Sequence, residues 1–553
     1  MTNLPQSQPA PDVALYDTLL RDGSQMEGIA FSLQDKIAVA RRLDQLGIHY
    51  VEGGFPGSNE KDQAFFEQMK TSPLQHAKLV AFGGTRKPGS DVETDFNIVA
   101  LREAETPVVT FVGKAIASQV STVLNTSREE NLSMVRESVG YMASLGREVH
   151  FDAEHFFDGY REDPEYTLNV LRTAHRAGAQ YLILCDTNGG AMTSEVSEAV
   201  LAVREAIPDA RLGIHTHNDC ELAVANSLAA VVAGVEQVQG CLNGYGERCG
   251  NANLSSIVPN LQLKMGIEVV REDQLREITA ASRFVAELAN RPLNGQSPYV
   301  GASAFAHKAG YHVAAIVKDP NTYQHIDPEV VGNDQRVLVS ELSGKRNIAY
   351  KLAERGHDLP LTADETTRLL ERVKRMESRG FQYEGAEASF ELLALRSRPG
   401  YVAPFELDDF LVVERRRPTL PDDGGDSGQN GWTSGEDSMM LAEAVTKIRV
   451  GDRMFHTTAD GNGPVNALDR AARKGLEEAY PELGQVSLLD YKVRILDTDA
   501  GTEAQVRALI ESTDGERAWN TVGSSSDVVE ASWLAMADAY EYYLQHRAEW
   551  TVG

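Results

Sequence analysis

Between Val13 and about Gly266 the chain alternates short apolar runs with stretches of helical length, and it does so eight times. The runs with strand character are Val13–Leu20, His49–Phe55, Lys78–Phe82, Pro107–Val112, Glu148–Ala153, Tyr181–Cys185, Arg211–Thr216 and Gln237–Leu242. Several intervening helical stretches close on a glycine just before the next strand, at Gly47, Gly146, Gly178 and Gly234, the residue that most easily turns a helix end into the left-handed region. Eight strand–helix units in about 250 residues predict an α/β fold of the TIM (β/α)8 type, whose functional groups gather at the C-terminal ends of the strands. Asp22, Glu52, Glu154, Asp186, His215, His217 and the loop Gly244–Asn251 all fall at such ends.

Two of these ends carry metal-site chemistry. DTLLRDGSQ (residues 17–25) leads out of the first strand, and HTHND (215–219) puts two imidazoles at i and i+2, which project from one face of a strand. One carboxylate and two imidazoles suit Mn²⁺ or Zn²⁺ and tolerate Mg²⁺, with positions left open for a substrate. On their own, His215 and His217 could equally be hydrogen-bonded core residues; the adjacent Arg21-Asp22 pair tips the balance toward function. Glu52 and Glu154 read equally well as substrate contacts or as groups that close hydrogen bonds in the barrel mouth. Asp186-Thr187-Asn188-Gly189-Gly190 has the composition of a turn, with Thr187 or Asn188 available to cap the next helix and a substrate role left open by its place at a strand end. In Gly244–Asn251 three glycines allow close backbone approach, Glu247 and Arg248 can pair, and Asn251 can cap a helix or stand beside a metal.

A net charge of -28 excludes nucleic acid and anionic membrane surfaces as partners. It would also repel an anionic substrate unless the site is locally positive. No segment approaches 18 uninterrupted apolar residues, and the polar start, residues 1–12, lacks a basic and apolar leader, so a cytoplasmic enzyme is expected. The four cysteines, Cys185, Cys220, Cys241 and Cys249, form no C-x-x-C pair and read as reduced, buried thiols.

The barrel is expected to span 13–285. Helical connector subdomains would follow over 286–417, with an amphipathic helix near Ala363–Ser378, then a Gly-, Asp- and Ser-rich linker over 418–438, and a C-terminal α+β domain over 439–553 with an internal repeat. In the repeat, Lys447–Thr458, a loop holding Gly461, Asn462 and Gly463, and a helix to Tyr480 are echoed by Val506–Thr513, a loop holding Ser524, Ser525 and Ser526, and a helix to Leu544. Backbone N–H groups at the starts of the two helices are candidates for holding a small carboxylate. A dimerisation module without a ligand is the alternative.

The motifs DTLLRDGSQ, EGGFPGSN, DAEHFFDGY, CDTNGG, HTHNDCELAVANS, GYGERCGNANL, SAFAHKAGYHVAAI and TYQHIDPEVVGN, in this order over residues 13–350, resemble the acetyl-CoA-dependent condensing enzymes that include the 2-isopropylmalate, homocitrate and citramalate synthases. The resemblance implies a divalent metal, Mn²⁺ or Mg²⁺ before Zn²⁺, on Asp22, His215 and His217 with Asn251 close by. It places Arg21 on the keto group of a 2-keto acid and lines the keto-acid pocket with Glu154 and Thr187; Glu52, from its strand end, and Lys308, from its charge, are further candidates for substrate contact. His312 becomes the base that takes a proton from the acetyl-CoA methyl, with Tyr323 as its neighbour. By spacing alone His307, His312 and Tyr323 read as structural. Related enzymes place an Asp two residues after this His; here that position is Ala314, and Asp327 or Glu341 would have to orient the imidazole instead. Lys308, Lys345, Arg346 and Lys351 could meet coenzyme A phosphates. The implied activity is a Claisen condensation of acetyl-CoA with pyruvate to citramalate and CoA by a homodimer, with the C-terminal domain binding isoleucine as inhibitor. The competing readings are 2-ketoisovalerate as acceptor, a metal-dependent carbon–carbon lyase on the same barrel, and a non-catalytic amino-acid-binding protein.

Overall fold

The computed structural model describes residues 12–316, 318–337, 362–398, 400–416, 440–496, 501 and 503–550. The expected linker over 418–438, together with Lys345, Arg346, Lys351 and Glu341, lies outside them. The eight apolar runs become eight parallel strands: β1 (Ala14–Asp17), β2 (Tyr50–Gly54), β3 (Lys78–Gly84), β4 (Val108–Lys114), β5 (Glu148–Glu154), β6 (Tyr181–Asp186), β7 (Leu212–Thr216) and β8 (Gln237–Gly240). They close into a barrel when β8 pairs with β1, Ala14 opposite Gln237 and Asp17 opposite Gly240. The four glycines expected to end helices all adopt positive φ, between 77° at Gly146 and 109° at Gly178. Helix starts are fixed as locally: Ser32 and Asp35 form a reciprocal capping box at the head of Leu33–Gln45.

β1 is shorter than its apolar run. Asp17 is fully buried, and its carboxylate accepts from the backbone N–H groups of Leu19 (2.8 Å) and Leu242 (2.9 Å). That turns the chain away from the sheet three residues before Leu20, so Thr18–Arg21 form a turn that delivers Arg21 and Asp22 to the mouth. Burial pushes the Asp17 carboxyl up to about 7.

The chain forms two compact units, 1–306 with 324–335, and 307–323 with 336–553. In the second, β9 (Glu406–Arg416), β10 (Met440–Val450) and β11 (Arg453–Gly461) make one antiparallel sheet, and β12 (Ser487–Ile495), β13 (Val506–Thr513) and β14 (Ala518–Ser525) another. The first is followed by the helix Pro464–Ala479 and the second by Val528–Trp550. Each half of the repeat is thus three strands and a helix. The first half begins earlier than 439, because β9 pairs with β10 along its whole length. The helix Glu387–Leu395 also joins this core through Ala388 and Leu392, and Arg396 at its end reaches Asp538 and Glu541 at 2.7 Å. The helix expected near Ala363–Ser378 runs Ala363–Glu377. Among the described residues no helix is long and apolar enough to cross a membrane.

Candidate active site

Asp22, from the turn after β1, and His215 and His217, from β7 and its end, meet at the C-terminal mouth of the barrel. Asp22 Oδ2 lies 3.5 Å from His215 Nε2 and 3.9 Å from His217 Nε2, and one donor atom from each falls within 4.8 Å of the others. All three are buried. Burial alone would raise the Asp22 carboxyl, but the Arg21 charge and the two imidazoles hold it far below the usual carboxylate range. Burial opposes protonation of His215, yet the Asp22 hydrogen bond and charge raise it overall. Burial, and then the charge of His215, push His217 down to about 4.

Asn251 joins the group. It bridges antiparallel to His217, and its Nδ2 donates to Asp22 Oδ1 (3.2 Å) and to the Tyr245 carbonyl (3.0 Å). Its Oδ1 is buried without a partner, as is His217 Nδ1. Buried oxygens seldom go unpaired, so an orphan oxygen beside one carboxylate and two imidazoles fits a divalent cation. Helix capping falls to Asn253 rather than Asn251. The loop glycines serve this packing: a Cβ on Gly246 would stand 2.3 Å from Asn251 Nδ2, and one on Gly250, at φ 89°, 2.1 Å from the Gly244 carbonyl.

Arg21 is held on three sides. Its Nε donates to Glu52 Oε1 at 2.5 Å, its Nη1 to Asp22 Oδ2 at 3.1 Å, and its guanidinium carbon stands 3.9 Å over the ring of Phe82. Glu52 is fully buried, and its second oxygen accepts from Tyr16 Oη at 2.5 Å. Both oxygens are therefore occupied, which favours the hydrogen-bonding reading of Glu52 over direct substrate contact. Glu154 pairs with Lys114 at 2.5 Å. Thr187 Oγ1 accepts from the backbone N–H of His155, whose φ of 58° marks a strained turn out of β5. Arg248 pairs with Asp219 (2.8 Å) rather than Glu247, and its Nη2 donates to the Thr187 carbonyl. Asp186 closes its own turn by accepting from the N–H groups of Gly190 and Ala191. The helix that follows, Thr193–Ala206, is capped by Glu195 on the Met192 N–H, not by Thr187 or Asn188.

Sequence reasoning missed Phe82, Lys114, Asp152 and Gln239, which four different strands bring to this mouth; Asp152 is pushed up to about 7 by burial. The cations Arg21, Lys114 and Arg248 are all paired, Arg21 with Glu52 and Asp22, Lys114 with Glu154 and Arg248 with Asp219, so the local positive charge that an anionic substrate would call for is not supplied by these side chains alone. The cysteines divide: Cys185 and Cys241 are buried as expected, whereas Cys220 and Cys249 are exposed on the loops flanking His217 and Asn251.

In the second unit His312, on the helix Gly310–Ile316, and Tyr323 stack with ring centroids 4.2 Å apart. Tyr323 is thus the ring beside His312 within this unit; in the first unit Asp327 caps a 3-10 turn at Pro328–Val331. Lys308 pairs with Glu384 at 2.9 Å. Asn462 and Gly463 line a cavity of about 390 Å³ with Asp469, Arg473, Ile510 and Tyr540. The second loop does not reach it: Ser524 Oγ donates toward the carbonyls of Arg379 and Val506, and Ser525 Oγ to Glu530.

Three family models match the chain: HMGL-like over residues 12–285, homocitrate synthase post-HMGL domain-like over 299–380, and the LeuA allosteric (dimerisation) domain over 431–544. The chain is 48% identical to an (R)-citramalate synthase of Aquifex aeolicus, covering 98% of this chain and 99% of that one. It is 50% identical to an (R)-citramalate synthase of Geobacter sulfurreducens over 97% and 98%. Identity to a probable 2-isopropylmalate synthase of Methanopyrus kandleri is 30%, over 94% and 96%.

Proposed function

The chain belongs to the (R)-citramalate synthase family and carries out that family's reaction, the joining of acetyl-CoA and pyruvate to give citramalate and free coenzyme A; we propose that the Asp22–His215–His217 mouth is where it occurs. The observation that carries this is one carboxylate and two imidazoles converging beside a fixed Arg21, in a chain about half identical to those synthases from end to end. The donor set suits Mn²⁺ or Zn²⁺ and tolerates Mg²⁺, and the likeness to the condensing enzymes puts Mn²⁺ or Mg²⁺ first. Asp22, His215 and His217 would hold the cation, with Asn251 close by, and when bound it would make the keto carbon electrophilic. Arg21 then donates to the keto oxygen as that oxygen gains charge, and Glu52 and Phe82 keep the guanidinium plane fixed, so no reorganisation is needed during attack. Glu154, with Lys114, and Thr187 line the keto-acid end. His312, stacked on Tyr323, takes the methyl proton of acetyl-CoA, while Lys308 serves the coenzyme. Hydrolysis of the resulting thioester releases the CoA thiol.

The C-terminal unit is proposed to regulate this reaction within a homodimer, a reading supported by the allosteric (dimerisation) domain match. Its cavity is lined by Asp469 and Arg473, which pair with each other at 3.2 Å, and by Val465, Leu488, Ile510 and Met536. The apolar lining suits the branched side chain of isoleucine, whose ammonium and carboxylate would meet the Asp469–Arg473 pair. The test is thiol release from acetyl-CoA across a panel of 2-keto acids with isoleucine titrated in. Pyruvate should be the preferred acceptor by kcat/KM; preference for 2-ketoisovalerate would overturn the substrate assignment, and no thiol release with metal present would overturn the activity.

A further inference from the structure

We propose that Gln239 is a positioning residue for the metal site, fixing which imidazole nitrogen of His215 is bare. Gln239 lies on β8 directly beside His215 on β7, and its side chain is completely buried. The amide has one donating and one accepting end. The donating end is engaged twice, Nε2 to Asp152 Oδ1 at 3.2 Å and to Gln237 Oε1 at 3.4 Å. The accepting end therefore faces His215, with Oε1 2.9 Å from Nδ1. A carbonyl oxygen can only accept, so Nδ1 carries the hydrogen, and in the neutral ring Nε2 keeps its lone pair. That bare nitrogen is the one facing Asp22.

His217 has no such arrangement, because its Nδ1 is buried without a partner. Of the two imidazoles, His215 is the one whose ring orientation and tautomer the protein dictates. An apolar side chain would fill the barrel interior at lower desolvation cost than the three buried polar groups Asp152, Gln237 and Gln239. Their presence is accounted for if they set the amide direction that orders His215. Outer hydrogen bonds of this kind raise ligand basicity and hold the ring in place, and losing one typically costs about 10–100-fold in metal affinity.

This inference rests on the assignment of Asp22, His215 and His217 as a metal site, and the experiment separates the two. Chelator-stripped full-length protein is titrated with Mn²⁺, free Mn²⁺ being read by electron paramagnetic resonance, with circular dichroism and thermal melts as checks on folding. The wild type should bind Mn²⁺. Gln239→Met, similar in length but unable to accept, should bind about 10–100-fold more weakly. Gln239→Glu, which again offers His215 an acceptor, should stay within about threefold of wild type, since the outer hydrogen bond is restored. Wild-type affinity in Gln239→Met, or equal weakness in folded Gln239→Met and Gln239→Glu, overturns the role of Gln239 while leaving the metal site standing. If Gln239→Met does not fold, Gln239→Glu decides: near-wild-type affinity supports the role, and a loss of about tenfold or more rejects it. No binding by the wild type removes the metal site itself, and the role of Gln239 with it.

Discussion

Glu52→Gln tests how the barrel mouth supports catalysis. The substitution preserves volume in a fully buried position, and the remaining carbonyl can still accept from Tyr16 Oη. The other end becomes an NH₂ facing Arg21 Nε, donor against donor, in place of a 2.5 Å charge-assisted contact. Hydrogen bonds to charged groups contribute about 1.5–3 kcal/mol. Arg21 keeps its contact with Asp22 and the face of Phe82, so the guanidinium stays near the site but loses the partner that sets its plane. If that energy is expressed only as the keto oxygen gains charge, kcat should fall about 10–150-fold, at about 1.4 kcal/mol per tenfold. The KM for pyruvate should change little, because neither Glu52 oxygen is free for substrate. Steady-state thiol release at saturating acetyl-CoA and metal, with pyruvate varied, separates the possibilities, and a thermal melt confirms the fold. A KM effect with kcat retained would instead mean that Glu52 binds pyruvate directly. A kcat within about twofold of wild type would refute the argument that Glu52 acts through Arg21.

Asp22→Ala should abolish thiol release without unfolding the barrel; full activity in the chelator-treated variant would remove the triad from the mechanism. His312→Ala should lose both product and solvent exchange of the acetyl methyl hydrogens, with His307→Ala less damaged, and the reverse order would move the base to His307. In the metal-free protein, unfolded His217 takes up a proton near pH 6.5 while the folded ring stays neutral down to about 4. Its contribution to stability is thus present above about 6.5 and is lost as pH falls through about 4. His217→Asn should flatten the pH dependence of the melting temperature across that window, and an unchanged slope would contradict the assigned burial. Arg473→Gln should weaken isoleucine inhibition about tenfold or more, as expected for a charged partner of a carboxylate; unchanged inhibition would place the effector elsewhere.

What could be read from the sequence was whatever is periodic or contiguous. Eight apolar runs and four helix-ending glycines define the barrel because strand and helix are local. His215 and His217 could be paired because i and i+2 on a strand share a face. The boundary errors have equally local causes. The overrun of β1 arises because Asp17, inside an apolar run, spends both oxygens on backbone N–H groups, and nothing in its spelling separates that from an ordinary strand residue. β9 escaped assignment because its partner β10 lies beyond the acidic segment 418–438, so the pairing is invisible until the sheet forms.

The support of the site was hidden for a deeper reason, which is lateral register. Cys185, His215 and Gln239 are neighbours across β6, β7 and β8, although Gln239 and His215 are 24 residues apart in the chain. Their adjacency depends on where each strand enters the barrel, which is set by every preceding loop and helix. The same holds for Phe82 beneath Arg21 and Lys114 beside Glu154. The two repeated loops illustrate the converse. They look alike in sequence, yet Asn462 and Gly463 line a cavity, whereas Ser524 is tied to the Arg379 carbonyl. A local motif specifies what a segment can offer, and the neighbours it acquires on folding decide whether a ligand or the protein's own backbone receives it. Mutating the neighbours, Glu52 and Gln239 among them, is therefore more discriminating than mutating the ligands, because loss of a ligand abolishes any metal site whereas loss of a neighbour tests this particular arrangement.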